Sequence, residues 1–277
     1  LIFPERELSL GTQSLQLPGA GLGVEGAALG TGLAECVAAC LTSWHLFTRS
    51  SGLKIQEWHG THHFPMRTTL KNAVRISLPM GLEHAVICGA QIMTTVIVAP
   101  LGITAIAANS FAITAESLCY MPGYGIADAA TTLVGQSLGA GRRKLTRRFA
   151  YITVFAGMAI MGLMGIVMYA FAPQIIGTMT PVDEIRELGV AVLRIEAFAE
   201  PMFAAAIIAY GVFVGAANTL VPSLMNFFSI WAVRITLAAA LAPSMGLKGV
   251  WIAMCIELCF RGMIFLVRLR GKRWMKV

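Results

Sequence analysis

Long apolar stretches separated by short polar segments make up most of the chain after residue 71. Six such stretches follow one another, at about 72–98, 102–138, 149–172, 188–215, 219–243 and 247–268. A helix needs about 20 mostly apolar residues to cross the hydrocarbon core of a membrane. A further Gly/Ala-rich stretch precedes them over residues 21–47. The pattern predicts an all-α integral membrane protein, a polytopic helical bundle of about seven transmembrane helices.

The polar segments between these stretches carry most of the charge. The formal net charge is +7, and basic residues concentrate in the loop 139–148 and the tail 269–277, whereas the loop 173–187 is mostly acidic. Lys and Arg accumulate on the cytoplasmic side of membrane proteins. The alternation therefore predicts a cytoplasmic linker over 48–71, a basic cytoplasmic tail over 269–277 and an extracytoplasmic loop over 1–20. It argues against nucleic acid as a partner.

Ionisable groups inside the apolar stretches are few and therefore informative. Charged residues make up 13% of the chain, against about a quarter in a soluble domain. Such groups are costly to insert and mark ion or substrate pathways. The candidates for ion coupling, proton coupling or substrate binding are Glu83, Glu116, Glu196, Glu200 and Asn109. The candidates for structural polar pairing are Arg194, Arg234, Glu257 and Arg261.

Glu83 lies four residues after Pro79, about one helical turn past the bend that a proline favours. A carboxylate at this place can load and release H+ or Na+ if its burial and its charged neighbours change between conformations. Alternatively, Glu83 snorkels or pairs with Arg75, eight residues earlier.

Two further sets of polar residues have helical spacing. Glu116 lies seven residues after Asn109, so both share one helix face, which we expect to line a cavity. A structural hydrogen bond to another helix is the alternative for Glu116. Glu196 and Glu200 are four apart on one face, where a single proton or cation relieves their repulsion. Alternatively, that pair lies near the outer headgroups and Arg194 neutralises it.

A structural role is predicted for the charges of the last two stretches. Glu257 and Arg261 have the favourable i,i+4 order, and together with Arg234 we expect them to pair across two helices. For His84 and Asp128 the spacing predicts no partner.

Metal binding and catalysis are not predicted. Glu57, His59, His62 and His63 have metal-binding side chains, but they lie in a basic interfacial linker. The six cysteines lie in apolar stretches, where we expect them to pack as small hydrophobic residues; they are Cys36, Cys40, Cys88, Cys119, Cys255 and Cys259. The sequence has no HExxH motif and no Ser/His/Asp set at a recognisable spacing, so an enzyme is not expected.

Several short segments occur in a familiar order. They are GVEGAA at 23–28, Leu78-Pro79, AIAAN at 105–109, MPGYG at 121–125, and AATTLV followed by GQSLGAG at 129–141. In sequence and spacing they resemble the MATE (multidrug and toxic compound extrusion) transporters over essentially the whole chain. The resemblance implies twelve helices in two six-helix lobes. Residues 21–47 are then the last helix of a truncated first lobe, and residues 72–268 are the six-helix second lobe.

The resemblance also implies a function. Transporters of this kind carry out H+- or Na+-coupled antiport and export drugs and other organic, often cationic, compounds across the bacterial inner membrane. The resemblance places a coupling carboxylate on helix 7, where Glu83 lies, although some members carry it further along that helix. The expected partners are membrane lipid, a small organic substrate and the missing N-terminal lobe of the same protein, and no cofactor beyond the coupling ion is expected. The alternatives are a lipid-linked oligosaccharide flippase of related architecture and a truncated, non-transporting membrane scaffold.

Overall fold

The computed structural model describes residues 4–10, 13–20, 22–48, 66–271 and 273–275. These separate into two compact units, Leu1–Pro65 and Met66–Val277. The first unit contains an antiparallel hairpin of β1, Pro4–Leu10, and β2, Gln13–Ala20, followed by helix α1, Gly23–Thr48.

The hairpin differs from the polar loop that was predicted over residues 1–20. Leucines alternate with other residues in both strands, at Leu8 and Leu10 and again at Leu15 and Leu17. A period of two is typical of β-strands, and it was overlooked because the segment also carries several charges. Helix α1 lies where the apolar stretch 21–47 predicted a helix.

The described residues of the second unit form helices joined by short turns. Its elements are α2, Met66–Val98; a 3-10 turn, Ala99–Leu101; α3, Ile103–Gly139; α4, Arg143–Met179; α5, Asp183–Ala197; α6, Glu200–Gly215; α7, Leu220–Phe228; a π-helical segment, Ser229–Ile235; α8, Thr236–Arg270; and a final 3-10 turn, Arg273–Met275. Helix α2 begins six residues earlier than predicted, so the end of the expected linker 48–71 is helical. The rest of that linker, residues 49–65, lies outside the described residues.

Three helical stretches of the described residues are long and apolar enough to cross a membrane: Arg67–Leu101, Arg143–Met179 and Leu220–Arg270. Helices α5 and α6 are bent by 58° and form a fourth if they count as one broken span. The stretch Leu220–Arg270 has 51 residues, and as one straight helix at 1.5 Å per residue it would be about 77 Å long, more than twice a hydrocarbon core of about 30 Å. Gly246 interrupts it with a positive φ of 59°, as a connection between two crossings requires.

Helices α3 and α6, which contribute residues to the cavities described below, pack closely against each other. A Cβ at Gly211 would lie 2.5 Å from the carbonyl oxygen of Ala127, and one at Gly215 would overlap the carbonyl oxygen of Thr131. The Thr131 hydroxyl donates a hydrogen bond to the Gly211 carbonyl at 2.8 Å. Small residues let membrane helices approach in this way, and a short polar bond then holds them together.

Candidate functional site

Two neighbouring cavities lie among the helices of the second unit. The first, which we call the Glu83 cavity, has a volume of about 280 Å³. The second, the Glu116 cavity, has a volume of about 340 Å³. Four residues line both cavities and form the wall between them: Ile87, Tyr124, Phe203 and Arg261.

Neutral donors from α7 hold the carboxylate of Glu83. Its side chain is only 7% exposed. The Ser223 hydroxyl donates a hydrogen bond to Oε2 at 2.7 Å, and the Asn226 amide nitrogen donates one to Oε1. Among the described residues no cation forms an ion pair with Glu83, so the alternative pairing with Arg75 is wrong. Arg75 lies two helical turns away on the same helix, too far for direct contact.

Other polar residues complete the Glu83 cavity. His84 and Asp128, for which the sequence predicted no partner, both line it, and so does Tyr210 of α6. Ser223 and Asn226 were missed entirely. An isolated Ser or Asn in an apolar helix has no sequence signal of its own, and only their three-residue spacing shows that both lie on one face of α7.

The Glu116 cavity brings together the two residues that the helix face predicted. Glu116 is 7% exposed, and both it and Asn109 line the cavity. The Trp251 indole nitrogen donates a hydrogen bond to Asn109 Oδ1 at 3.0 Å, which fixes the amide. Arg234 and Arg261 line the same cavity, and their positive charges act on Glu116.

An ion pair on α8 stands beside the wall between the cavities. Arg261 Nε lies 3.1 Å from Glu257 Oε1, as the i,i+4 spacing predicted. The Ser229 hydroxyl donates a second hydrogen bond to Glu257 at 2.5 Å, and the Arg261 guanidinium lies 5.6 Å from the centre of the Phe203 ring. The positive charge of Arg261 is therefore balanced within the bundle.

Arg234 does not join this pair, which corrects the expectation that all three charges pair across two helices. Its guanidinium contacts the sulfur of Met254 instead. Arg234 belongs to the π-helical segment Ser229–Ile235. The wider turn of a π-helix rotates a side chain away from the direction that α-helical spacing predicts.

Glu196 and Glu200 lie on opposite sides of a helix break. Glu196 is near the end of α5 and Glu200 begins α6, so the single helix face inferred from their spacing does not exist. Both side chains are 0% exposed, and none of their four carboxylate oxygens has a hydrogen-bond partner among the described residues. The pair therefore lies inside the bundle rather than near the headgroups.

Arg194 does not neutralise these carboxylates, contrary to the alternative considered for it. Its guanidinium carbon lies 5.2 Å from the centre of the Tyr169 ring, and its Nε donates a hydrogen bond to the Tyr169 carbonyl at 3.4 Å. Arg194 therefore serves the packing of α5 against α4.

The described residues contain no group of three or more His, Cys, Asp or Glu side chains that could hold a metal ion. Glu57, His59, His62 and His63 lie outside the described part of the chain. The six cysteines are free thiols, and Cys119 is buried next to Glu200. The chemistry available is thus that of buried carboxylates beside aromatic walls, which suits protons, small cations and organic ligands.

Comparisons with known proteins give one consistent answer. A family model described as MatE matches residues 79–240, more than half of the chain. The "Probable multidrug resistance protein NorM" of Thermotoga maritima is 28% identical over 262 residues, which cover 92% of this chain and 54% of that protein. The protein of the same name from Brucella suis is 30% identical over 203 residues, covering 71% of this chain and 43% of that protein.

Solved structures confirm the fold. A MATE transporter of Vibrio cholerae superposes with a TM-score of 0.79 at 18% identity, covering 92% of this chain and 58% of that one. The prediction of a polytopic helical membrane protein is therefore confirmed. The chain spans about half the length of the curated relatives that it matches.

Proposed function

Since the chain belongs to the MatE family of multidrug and toxic compound extrusion transporters, which are not enzymes, we propose that it forms part of a secondary active transporter that exports organic compounds in exchange for H+ or Na+. It supplies the second lobe and the helix before it, and a first lobe of the same protein completes the pathway. The proposal includes the bacterial inner membrane as its location, with the C-terminus in the cytoplasm, because the basic segments alternate with neutral or acidic ones.

One observation carries this proposal: a buried glutamate that has no cationic partner among the described residues lines a cavity of about 280 Å³. A carboxylate held only by neutral donors can take up either a coupling ion or a positively charged substrate, but not both at once. Competition for one carboxylate is the simplest basis for antiport, because binding of the ion then favours release of the substrate.

The balance of charge favours a cationic substrate. Glu83 and Asp128 supply negative charge to the cavity, while the guanidinium of Arg261, which also lines it, is balanced by Glu257. Tyr124 and Phe203 supply aromatic surface, which attracts organic cations. A flippase for anionic lipid-linked sugars needs a surplus of positive charge, and the Glu83 cavity does not offer one.

Direct binding tests the proposal without requiring transport. Tetraphenylphosphonium, a lipophilic organic cation, is titrated against the purified protein in lipid nanodiscs, with and without added acid or Na+. We expect H+ or Na+ to displace it and Glu83→Gln to weaken its binding about tenfold, which corresponds to about 1.4 kcal/mol. Glu184→Gln, an exposed glutamate on α5, is the matched control. Equal affinity in wild type and Glu83→Gln contradicts the proposal, and absence of any binding favours the scaffold alternative.

A further inference from the structure

We propose that Glu196 and Glu200 form a proton-binding pair at the break between α5 and α6, separate from the Glu83 cavity. Its role in coupling rests on the proposed function, but the proton site itself is argued from burial and contacts alone. Neither glutamate lines the Glu83 cavity or the Glu116 cavity.

Little compensates two buried charges at this bend, where the Cys119 thiol lies beside Glu200 and the charge of Arg234 acts on Glu196. Both side chains are fully buried, and their four oxygens have no hydrogen-bond partner within the described residues. An ionised carboxylate in such surroundings is strongly unfavourable unless it is paired or neutralised. Protonation neutralises the group without bringing in a further heavy atom that needs space, so it is the simplest state of this pair.

The balance of charge around the pair also favours bound protons. Every neighbouring element except α4 presents titratable or charged groups to it. These are Glu116 and Cys119 from α3, Arg234 from the π-helical segment, and Glu257, Cys255 and Cys259 from α8. Helix α4 contributes Gly165 instead. Four carboxylates, those of Glu116, Glu196, Glu200 and Glu257, thus face two guanidinium groups, those of Arg234 and Arg261. Bound protons supply the missing positive charge.

A metal cation fits this place less well than a proton. No three acidic, histidine or cysteine side chains of the described residues are arranged to hold a metal ion. The neighbour of Glu200 is the Cys119 thiol, which is a poor ligand for hard cations such as Na+. Cys119 also belongs to an apolar cluster with Met168 and Leu193, which leaves little room for other oxygen ligands.

The helix break gives the proton site its position. Pro201 has no backbone N–H, so the Ala197 carbonyl loses its usual helical partner. The backbone instead closes a tighter turn, in which the Ala199 N–H donates to the Glu196 carbonyl at 2.8 Å. Gly165 seals the other side: a Cβ there would lie 2.8 Å from the Ala197 carbonyl oxygen and 3.1 Å from the Glu200 Cβ. The carboxyl groups are thereby enclosed at the bend.

Infrared spectroscopy of the full-length protein in lipid tests this inference directly. Protonated carboxylic acids have a C=O stretching band that ionised carboxylates lack. We expect a pH-dependent band in the wild type, its loss or reduction in Glu196→Gln and in Glu200→Gln, and an unchanged band in the exposed control Glu184→Gln. Persistence of the full band in both Glu196→Gln and Glu200→Gln would overturn the proposal.

The outcome is independent of the proposed function of the Glu83 cavity. Glutamine imitates a protonated glutamate in shape and charge, so both variants should fold; loss of folded protein in both also counts against the proposal. If the band disappears while Glu83→Gln still binds tetraphenylphosphonium normally, the proton pair stands and the role of Glu83 fails. If Glu83→Gln loses binding while the band survives in both pair variants, the reverse holds.

Discussion

Glu83 and the Glu196–Glu200 pair show how differently one bundle treats the same side chain. Glu83 faces an open cavity and accepts hydrogen bonds from Ser223 and Asn226. Glu196 and Glu200 are enclosed at a helix break, where no hydroxyl or amide of the described residues donates to them and only the Cys119 thiol lies beside Glu200. Hydrogen-bond donors stabilise an ionised carboxylate, which can attract a cation. Burial with few hydrogen-bond donors favours the neutral, protonated acid instead. The surroundings of a buried glutamate, rather than its depth alone, therefore decide which ligand it can take.

The largest effect is a loss of stability, expected when the ion pair of Glu257 and Arg261 beside both regions is broken. Glu257→Gln leaves the buried Arg261 charged and unpaired, and removing one partner of such a pair costs about 3–5 kcal/mol of stability. Unfolding by SDS in mixed micelles measures this loss. The double variant Glu257→Leu/Arg261→Met should recover most of it, because an apolar pair leaves no buried charge. A single variant as stable as the wild type would show that Arg261 is solvated rather than buried.

Gly165→Ala should affect the enclosed pair and spare the Glu83 cavity. The added methyl group collides with the Ala197 carbonyl and with Glu200, and overpacking of this kind costs about 1–3 kcal/mol. The carboxylic-acid band should shift while tetraphenylphosphonium binding stays unchanged. Gly177→Ala is the matched control, because only Arg186 Cδ lies near, at an ordinary 3.8 Å. Equal changes at both regions would show that they are not separate.

Ser223→Ala should do the opposite and affect only the Glu83 cavity. It removes one donor to the Glu83 carboxylate, and a hydrogen bond is worth about 1 kcal/mol net. We expect a change of several-fold in the binding of tetraphenylphosphonium and no change in the carboxylic-acid band. Ser244→Ala, whose hydroxyl bonds only the Leu241 carbonyl on its own helix, serves as control. Unchanged binding in Ser223→Ala would mean that the donor does not orient Glu83.

The smallest loss of stability is expected when the exposed ion pair at the start of α5 is broken. Arg186 and Asp183 form an ion pair at 2.6 Å, but their side chains are 45% and 76% exposed. Pairs of this kind contribute at most about 1 kcal/mol. Asp183→Asn should therefore leave stability and binding unchanged within about that amount. A larger loss would indicate that the start of α5 is anchored more tightly than its exposure suggests.

The sequence predicted the helices of the second unit well, because their apolar stretches are long and their ends are marked by charge. It also placed Glu83, Glu116 and Asn109 at buried positions, since helical spacing is a local property. It failed where contacts join distant segments. The bonds of Ser223 and Asn226 to Glu83 link residues about 140 positions apart, which no local pattern shows.

Local irregularities explain the remaining errors. The break after Ala197 separates Glu196 from Glu200, although their spacing predicts one face and only Pro201 indicated a distortion. The π-helical segment turns Arg234 towards Met254, and π-turns have no reliable sequence signal. The hairpin of the first unit was overlooked because its leucine alternation spans only a few residues and lies among several charges.

Transport in proteoliposomes would show whether an organic cation and a coupling ion compete for Glu83. The full-length protein is reconstituted, an inward- or outward-directed gradient of H+ or Na+ is imposed, and the movement of a fluorescent organic cation is followed. We expect gradient-driven movement in the wild type and in Glu184→Gln, and a loss of about tenfold or more in Glu83→Gln, within the range of coupling between two ligands. Gradient-driven transport by Glu83→Gln at the rate of the wild type would contradict this competition.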